Sequence, residues 1–237
     1  MKMVTQMTLI GFSRLLLLAA LWGGSFLFMR MAASVVGPAW LIQARVGLAA
    51  IFLWMVATWF KKGLQASRYW RHYLVLGFFN SALPFLLFAH AAQTISASLL
   101  SILNATAPMW AAVIARVWLK SELSMSKWAG MVIGLAGVAV LAGVESMTLP
   151  ADGMWAIAAG LAATLSYGIA TNYTKVAPNV ESFSNAHGSM WAATLVMIPV
   201  VLATPMPAEV PMVPTGLAVL ALGIACSGVA YLIYFRL

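Results

Sequence analysis

The chain has 237 residues, of which 63% are apolar and only 8% are charged, and its net charge is +8. Soluble domains carry about 25% charged residues, so this composition excludes a water-soluble globular protein. Because the charges lie between long apolar runs, we interpret the positive net charge as a determinant of membrane topology, with no nucleic-acid partner.

The apolar runs predict an all-α, polytopic membrane protein, since a helix needs about 20 mostly apolar residues to cross a bilayer. Charge clusters, Gly, Pro and polar turns divide these runs into eight predicted spans. In chain order the spans cover residues 14–33, 38–60, 72–90, 94–117, 127–145, 153–174, 183–204 and 213–236.

The distribution of Lys and Arg predicts the orientation, because these residues concentrate in cytoplasmic loops. If residues 1–13 are cytoplasmic, eleven of the thirteen basic residues lie on the cytoplasmic side, and only Arg30 and Arg45 lie toward the other side. The linker 146–152 is then external. We therefore expect a multi-pass protein of the cell (inner) membrane with a cytoplasmic N-terminus.

Three segments of the first spans recur later in the chain at nearly constant offsets, which indicates an internal duplication. The paired residues are Gly23 with Gly168, Arg45 with His187, Gly77 with Gly223, Ser81 with Ser227 and Phe85 with Tyr231. Five spans precede the second copy, so the second copy is inverted in the membrane, an arrangement that recurs in secondary transporters.

The two copies predict two domains, a first repeat over residues 14–145 and a second over 153–237. The second copy has three spans. Counterparts of the fourth and fifth spans would make ten spans in all, so we expect this chain to hold eight spans of ten.

Three segments also carry a resemblance to a known family. They are LLAALWGGSFLFMR (17–30), QARVGLAAIFL (43–53) and LNATAPMWAAVIARVWLKSELSMSKWAGMVIGLAGVAVL (103–141). Together they resemble the EamA family of the drug/metabolite transporter superfamily. The resemblance implies ten transmembrane helices in two inverted repeats and the export of small metabolites, most often amino acids or related compounds. The chain departs from the family's usual Gly-Glu turn, because Ser121 precedes Glu122.

We therefore predict a secondary transporter that exports small metabolites by alternating access. A structural or assembly membrane protein is one alternative, and a membrane-embedded enzyme is another. An enzyme would need a metal cluster, or a nucleophile with its base. His72, His90 and His187 are scattered and Cys226 is a lone cysteine within a span, so we predict no catalytic residue, no metal site and no cofactor.

Arg45 is the main candidate for substrate binding, because it lies well inside the second span, where a charge is expensive. Its planar guanidinium suits a substrate carboxylate. The alternative is a structural Arg that reaches the outer interface. The full set of candidate substrate-binding residues is Trp22, Arg45, Asn80, Asn104, Trp110, Tyr167, His187 and Tyr231. For His187 a structural hydrogen-bonded role, and for the aromatic residues simple packing, are the alternatives.

Pro84 and Pro108 remove backbone donors inside the third and fourth spans, which makes them candidate hinges. Gly130 and Gly134 form a GxxxG pattern in the fifth span. Such a pattern favours close helix packing, either within the bundle or in a homodimer. The expected partners are the lipid bilayer and a small-molecule substrate, with a second copy of the chain as the partner in the homodimer alternative.

Overall fold

The computed structural model describes residues 9–146, 153–207 and 212–234, and every regular element in these ranges is helical. We number the helices by predicted span. They are α1 (Leu9–Val36), α2 (Pro38–Trp59), α3 (Ala66–Ala91), α4 (Ala97–Trp118), α5 (Met125–Ser146), α6 (Gly153–Thr174), α7 (Ser182–Leu202) and α8 (Val213–Tyr234).

The prediction of an all-helical membrane protein is confirmed, since seven of these helices are long and apolar enough to cross a membrane. The exception is α5, whose apolar stretch in the described part is the shorter Met125–Leu141. Its crossing of the membrane stays a prediction. Residues 1–8 of the predicted cytoplasmic N-terminus, 147–152 of the predicted linker and 235–237 of the last span lie outside the described residues.

Two helices begin at least five residues before their predicted spans. Helix α1 begins at Leu9 and α3 at Ala66, so Arg14 lies within α1, and Arg68 and Arg71 lie in the first turns of α3. Arg has a high helix propensity, and a basic segment can therefore continue a helix beyond the part that crosses the membrane.

The core is built around α2 and α3. Helix α2 packs against α7 and α8, and α3 packs against α6 and α7. Helix α4 covers α6, and α1 lies along α8. Among the largest fully buried side chains are Leu41, Phe88, Leu100, Met190 and Leu222, which come from five of the helices.

Glycines set the closest of these approaches. A methyl group added at Gly77 of α3 would lie 2.7 Å from the backbone nitrogen of Ala193 and 2.8 Å from the carbonyl oxygen of Ser189, both in α7. One added at Gly223 of α8 would lie 2.6 Å from Cβ of Leu48 in α2. Small residues at helix contacts are the usual means by which membrane helices gain packing contact.

Two further glycines lie in the GxxxG pattern of α5. Gly134 lies against Met109 of α4, whereas Gly130 has open space beside it. The described contact is therefore within the bundle, and dimerisation stays a prediction.

Gly77→Ala tests the close contact of α3 with α7. We expect the free energy of unfolding to fall by about 1–3 kcal/mol, since backbone atoms of α7 cannot move aside as a flexible side chain would. The readout is the apparent melting temperature of the purified protein in detergent. Gly47→Ala in α2 is the control, because a methyl group there meets nothing within 4 Å. Equal melting temperatures for the two variants would contradict the packing described here.

Candidate functional site

A π-helical segment, Phe78–Ala82, interrupts α3 in the middle of its span. Leu83 donates its N–H to the carbonyl of Phe78 in the wider π pattern, and the next residue, Pro84, has no N–H to donate to Phe79. The hydroxyl of Ser166 in α6 donates to the carbonyl of Phe79 instead, at 2.7 Å. Pro84 thus leaves a backbone acceptor free inside the membrane, and a neighbouring helix satisfies it.

A second π-helical segment, Ala221–Val229, lies in α8. Ser227 within it donates its hydroxyl to the carbonyl of Leu222 at 2.9 Å and is almost fully buried. π-Helical turns are rare and occur frequently at functional sites. The second segment contacts Arg45 of α2 through Ser227, and the first segment packs against α2.

Arg45 is only 3% exposed. Its Nε donates to the hydroxyl oxygen of Ser227 at 3.0 Å, and its guanidinium carbon lies 3.7 Å from the ring centre of Phe85 in α3. Within the described residues this is the only hydrogen bond that the side chain makes, and no ion pair accompanies it. The remaining N–H groups of the guanidinium make no hydrogen bond to the described residues.

Polar and aromatic side chains surround this cation. The phenol of Tyr231 in α8 accepts a hydrogen bond from the side-chain amide of Asn80 in α3, at 3.1 Å. Tyr167, Cys226 and Tyr231 lie close enough to the guanidinium to interact with it electrostatically. The site thus joins a positive charge, phenol groups and aromatic ring faces.

Among the residues that the structure describes, no carboxylate pairs with Arg45. The five acidic residues are Glu122, Glu145, Asp152, Glu181 and Glu209, and none of them falls within α1–α4 or α6–α8. A buried ammonium or guanidinium without a carboxylate partner is costly.

Four of the eight candidate binding residues meet in this cluster, namely Arg45, Asn80, Tyr167 and Tyr231. Trp22 lies beside Tyr234 of α8, and the centroids of the two rings are 5.8 Å apart. Trp110 and Asn104 belong to α4, where the backbone of Trp110 packs against Gly168.

His187 lies apart from the cluster. Its Nε2 accepts a hydrogen bond from the indole N–H of Trp191 at 3.0 Å, and it lines a groove with Lys61 and Lys62. The predicted repeat pairs His187 with Arg45 in the sequence, but the two side chains have different partners in the structure. The geometry matches the alternative of a hydrogen-bonded structural histidine.

Sequence reasoning left Ser227 and Phe85 out of the site. The repeat held a usable signal, because it pairs Ser81 with Ser227 and Phe85 with Tyr231. An intramembrane hydroxyl at a repeated position is a natural partner for an intramembrane Arg, since it has no water to bind.

Helix α4 is broken between Asn104 and Ala107, just before Pro108. The hydroxyls of Thr106 at the break and Thr164 in α6 lie 3.0 Å apart. Thr106 also donates to the carbonyl of Leu103 at 2.7 Å. The break is thus satisfied by local contacts, and a hinge motion at Pro84 or Pro108 stays a prediction.

Comparison with known proteins gives the site its context. The model of the EamA-like transporter family matches residues 9–143. Two curated relatives come from Bacillus subtilis (strain 168). The uncharacterized transporter YdfC is 28% identical over 142 residues, which are 60% of this chain and 46% of that protein. The uncharacterized transporter YoaV is 22% identical over 157 residues, which are 66% of this chain and 54% of that protein.

The chain spans about half the length of the curated relatives that it matches. One solved crystal structure superposes with a TM-score of 0.66 at 19% identity, covering 98% of this chain and 78% of the other. That likeness concerns the fold alone. Since the family model matches more than half of the chain, the protein belongs to the EamA-like transporter family and is a multi-pass membrane protein of a transporter family.

Proposed function

We propose that the protein is a secondary transporter that exports small carboxylate-bearing metabolites, such as amino acids or related amphipathic compounds, by alternating access. The observation that carries the proposal is Arg45, a buried guanidinium with one hydrogen bond and no carboxylate partner among the described residues. Its planar donors can bind both oxygens of a carboxylate.

The partners of Arg45 favour substrate binding over a purely structural role. The hydroxyl of Ser227 accepts a hydrogen bond from Nε of Arg45, and the guanidinium lies over the ring of Phe85. Such contacts fix the orientation of the side chain and leave its other donors directed elsewhere. An Arg that merely reached the interface would be exposed at the helix end, whereas this one is almost fully buried.

The remaining residues of the cluster suit the rest of an amphipathic solute. Tyr167 and Tyr231 are half-buried, and the Asn80 amide and Tyr231 phenol form a polar pair. A small amphipathic molecule could place its carboxylate on Arg45 and its apolar part on the rings. Binding sites for small molecules commonly combine apolar walls with a few placed polar groups.

Several contacts support the inverted repeat on which alternating access depends. At the offset of 146 that relates Gly77 to Gly223, the π segment of α3 falls within the π segment of α8. The helix contacts are also exchanged between the copies. Helix α3 packs on α7 and on α6, while its counterpart α8 packs on α2 and on α1, the counterparts of α7 and α6.

Ring contacts repeat in the same exchanged manner. Tyr167 of α6 lies 6.3 Å from Phe88 of α3, centroid to centroid, and Trp22 of α1 lies 5.8 Å from Tyr234 of α8. Trp22 and Tyr167 are repeat partners, and Phe88 and Tyr234 share the offset of 146. Exchange of this kind is expected when a pseudo-twofold axis relates two repeats.

Contacts between helix ends support the proposal that α5 crosses the membrane as the fifth of eight spans, because they join helix ends that this topology puts on the same side. Lys62 after α2 pairs with Glu181 before α7, both on the proposed cytoplasmic side. On the other side, Arg30 donates to the carbonyl of Ala92 at 2.5 Å. The indole of Trp40 donates to the carbonyl of Pro205 at 3.0 Å, also on that side.

Substitutions of Arg45 test the proposed substrate site. Lys keeps the charge and loses the planar fork, while Gln loses both, so transport should fall in the order Arg, Lys, Gln. For Arg45→Gln we expect apparent affinity to drop roughly ten- to a hundredfold, since charge-assisted hydrogen bonds contribute about 1.5–3 kcal/mol. The measurement is concentration-dependent uptake into inverted vesicles that carry the full-length protein.

The control is Arg116→Gln, which removes the same charge from an exposed position in α4. A substrate amide should be transported poorly by the unaltered protein and should lose little more in Arg45→Gln. If Arg45→Gln lowers only the amount of protein in the membrane, or weakens acid and amide equally, the proposal that Arg45 binds the carboxylate is wrong.

The orientation is tested with single cysteines in a Cys226→Ser background. Ser67 and Ala203 are exposed at opposite predicted faces of the membrane. We expect an impermeant thiol reagent to label Ala203→Cys in intact cells, and Ser67→Cys only after the membrane is opened. The reverse labelling pattern would contradict the orientation.

A further inference from the structure

The groove that His187 lines lies between the last turns of α2 and the first half of α7, away from Arg45. Its volume is about 490 Å³. The residues that give it its chemical character are Trp54, Thr58, Lys61, Lys62, His187 and Trp191. Aromatic side chains form its walls, and two ammonium groups stand at its rim.

Lys61 adopts a backbone conformation that lysine rarely takes. The N–H of Lys62 donates to the carbonyl of Ala57 at 2.9 Å and that of Lys61 to the carbonyl of Thr58 at 3.2 Å, so α2 ends in a Schellman motif. Glycine usually occupies the left-handed position of this motif, but here Lys61 occupies it with φ of 53°.

The two lysines differ in their electrostatic surroundings. Lys62 is paired with Glu181, which neutralises it. Lys61 is exposed and has no ion pair in the described ranges. The uncompensated positive charge at the rim therefore comes from Lys61.

The aromatic walls are held in place and partly exposed. Trp191 is tied to His187 by its indole N–H, and because Nε2 of His187 accepts, the neutral imidazole carries its proton on Nδ1. Trp54 is 52% exposed on a helix that spans the membrane, so its outer face meets lipid chains. The groove is thus cationic at the helix end and apolar toward the membrane interior.

We infer that this groove binds the headgroup of an anionic phospholipid, with the phosphate at Lys61 and an acyl chain along Trp54. Basic pockets between transmembrane helices are a known means of binding such headgroups. A phospholipid also matches the order of the two surfaces, since its charge lies at the membrane surface and its chains lie deeper. A small soluble anion would use the lysine and leave the indoles without a role.

The test compares Lys61→Gly with Lys120→Gly in the protein purified in neutral detergent. Lys120 follows α4, is exposed, and has φ of 51°, so the two variants remove the same charge from the same backbone conformation. Glycine suits that conformation, so neither variant should lower the apparent melting temperature. Native mass spectrometry then measures the binding of dioleoylphosphatidylglycerol, with dioleoylphosphatidylcholine as the zwitterionic lipid.

We expect Lys61→Gly to weaken phosphatidylglycerol binding about fivefold and Lys120→Gly to change it little, since one lysine contributes about 1 kcal/mol near an anionic surface. Phosphatidylcholine should bind more weakly and respond to neither substitution. If both variants weaken phosphatidylglycerol binding equally, the effect is one of net charge and the proposed site is wrong. Displacement of the lipid by millimolar inorganic phosphate would assign the groove to a soluble anion and overturn the lipid proposal.

Discussion

A guanidinium inside a membrane protein needs acceptors or ring faces around it, because the bilayer offers no water to solvate it. Arg45 finds one acceptor in Ser227 of α8 and one ring face in Phe85 of α3. A single charge on α2 is thereby tied to two other helices, and both π-helical segments lie at this junction. The close approach of α8 to α2 at Gly223 belongs to the same junction, so the packing and the proposed site depend on one another.

This dependence links binding to motion in the proposed mechanism. Arg45 and Phe85 belong to the first proposed repeat, while Ser227, Tyr167 and Tyr231 belong to the second. A carboxylate bound at Arg45 would neutralise a charge that lies between the two repeats. A ligand shifts a conformational equilibrium only through its different affinities for the two states. In the proposed mechanism the two states surround Arg45 differently, so a bound carboxylate would stabilise one state more than the other.

The sequence predicts the membrane helices well, because long apolar runs and breaks at charges follow from the bilayer itself. It also finds Arg45, whose position inside a span is costly, and the prolines that interrupt α3 and α4. The π segments and the Ser227 contact depend on which helices become neighbours, and a periodic pattern does not specify that. For the same reason the sequence makes His187 a candidate binding residue, whereas tertiary packing places it against Trp191.

The central claim is that a substrate carboxylate binds directly to the guanidinium of Arg45. Solid-state NMR on the full-length protein in lipid, with ¹⁵N-labelled arginine and a ¹³C-carboxyl-labelled substrate, measures that contact. We predict a dipolar coupling between the carboxyl carbon and guanidinium nitrogens that disappears in Arg45→Lys, whose ammonium carries no arginine label. A bound substrate that shows no such coupling, or a coupling that persists in Arg45→Lys, would place the carboxylate elsewhere and contradict the claim.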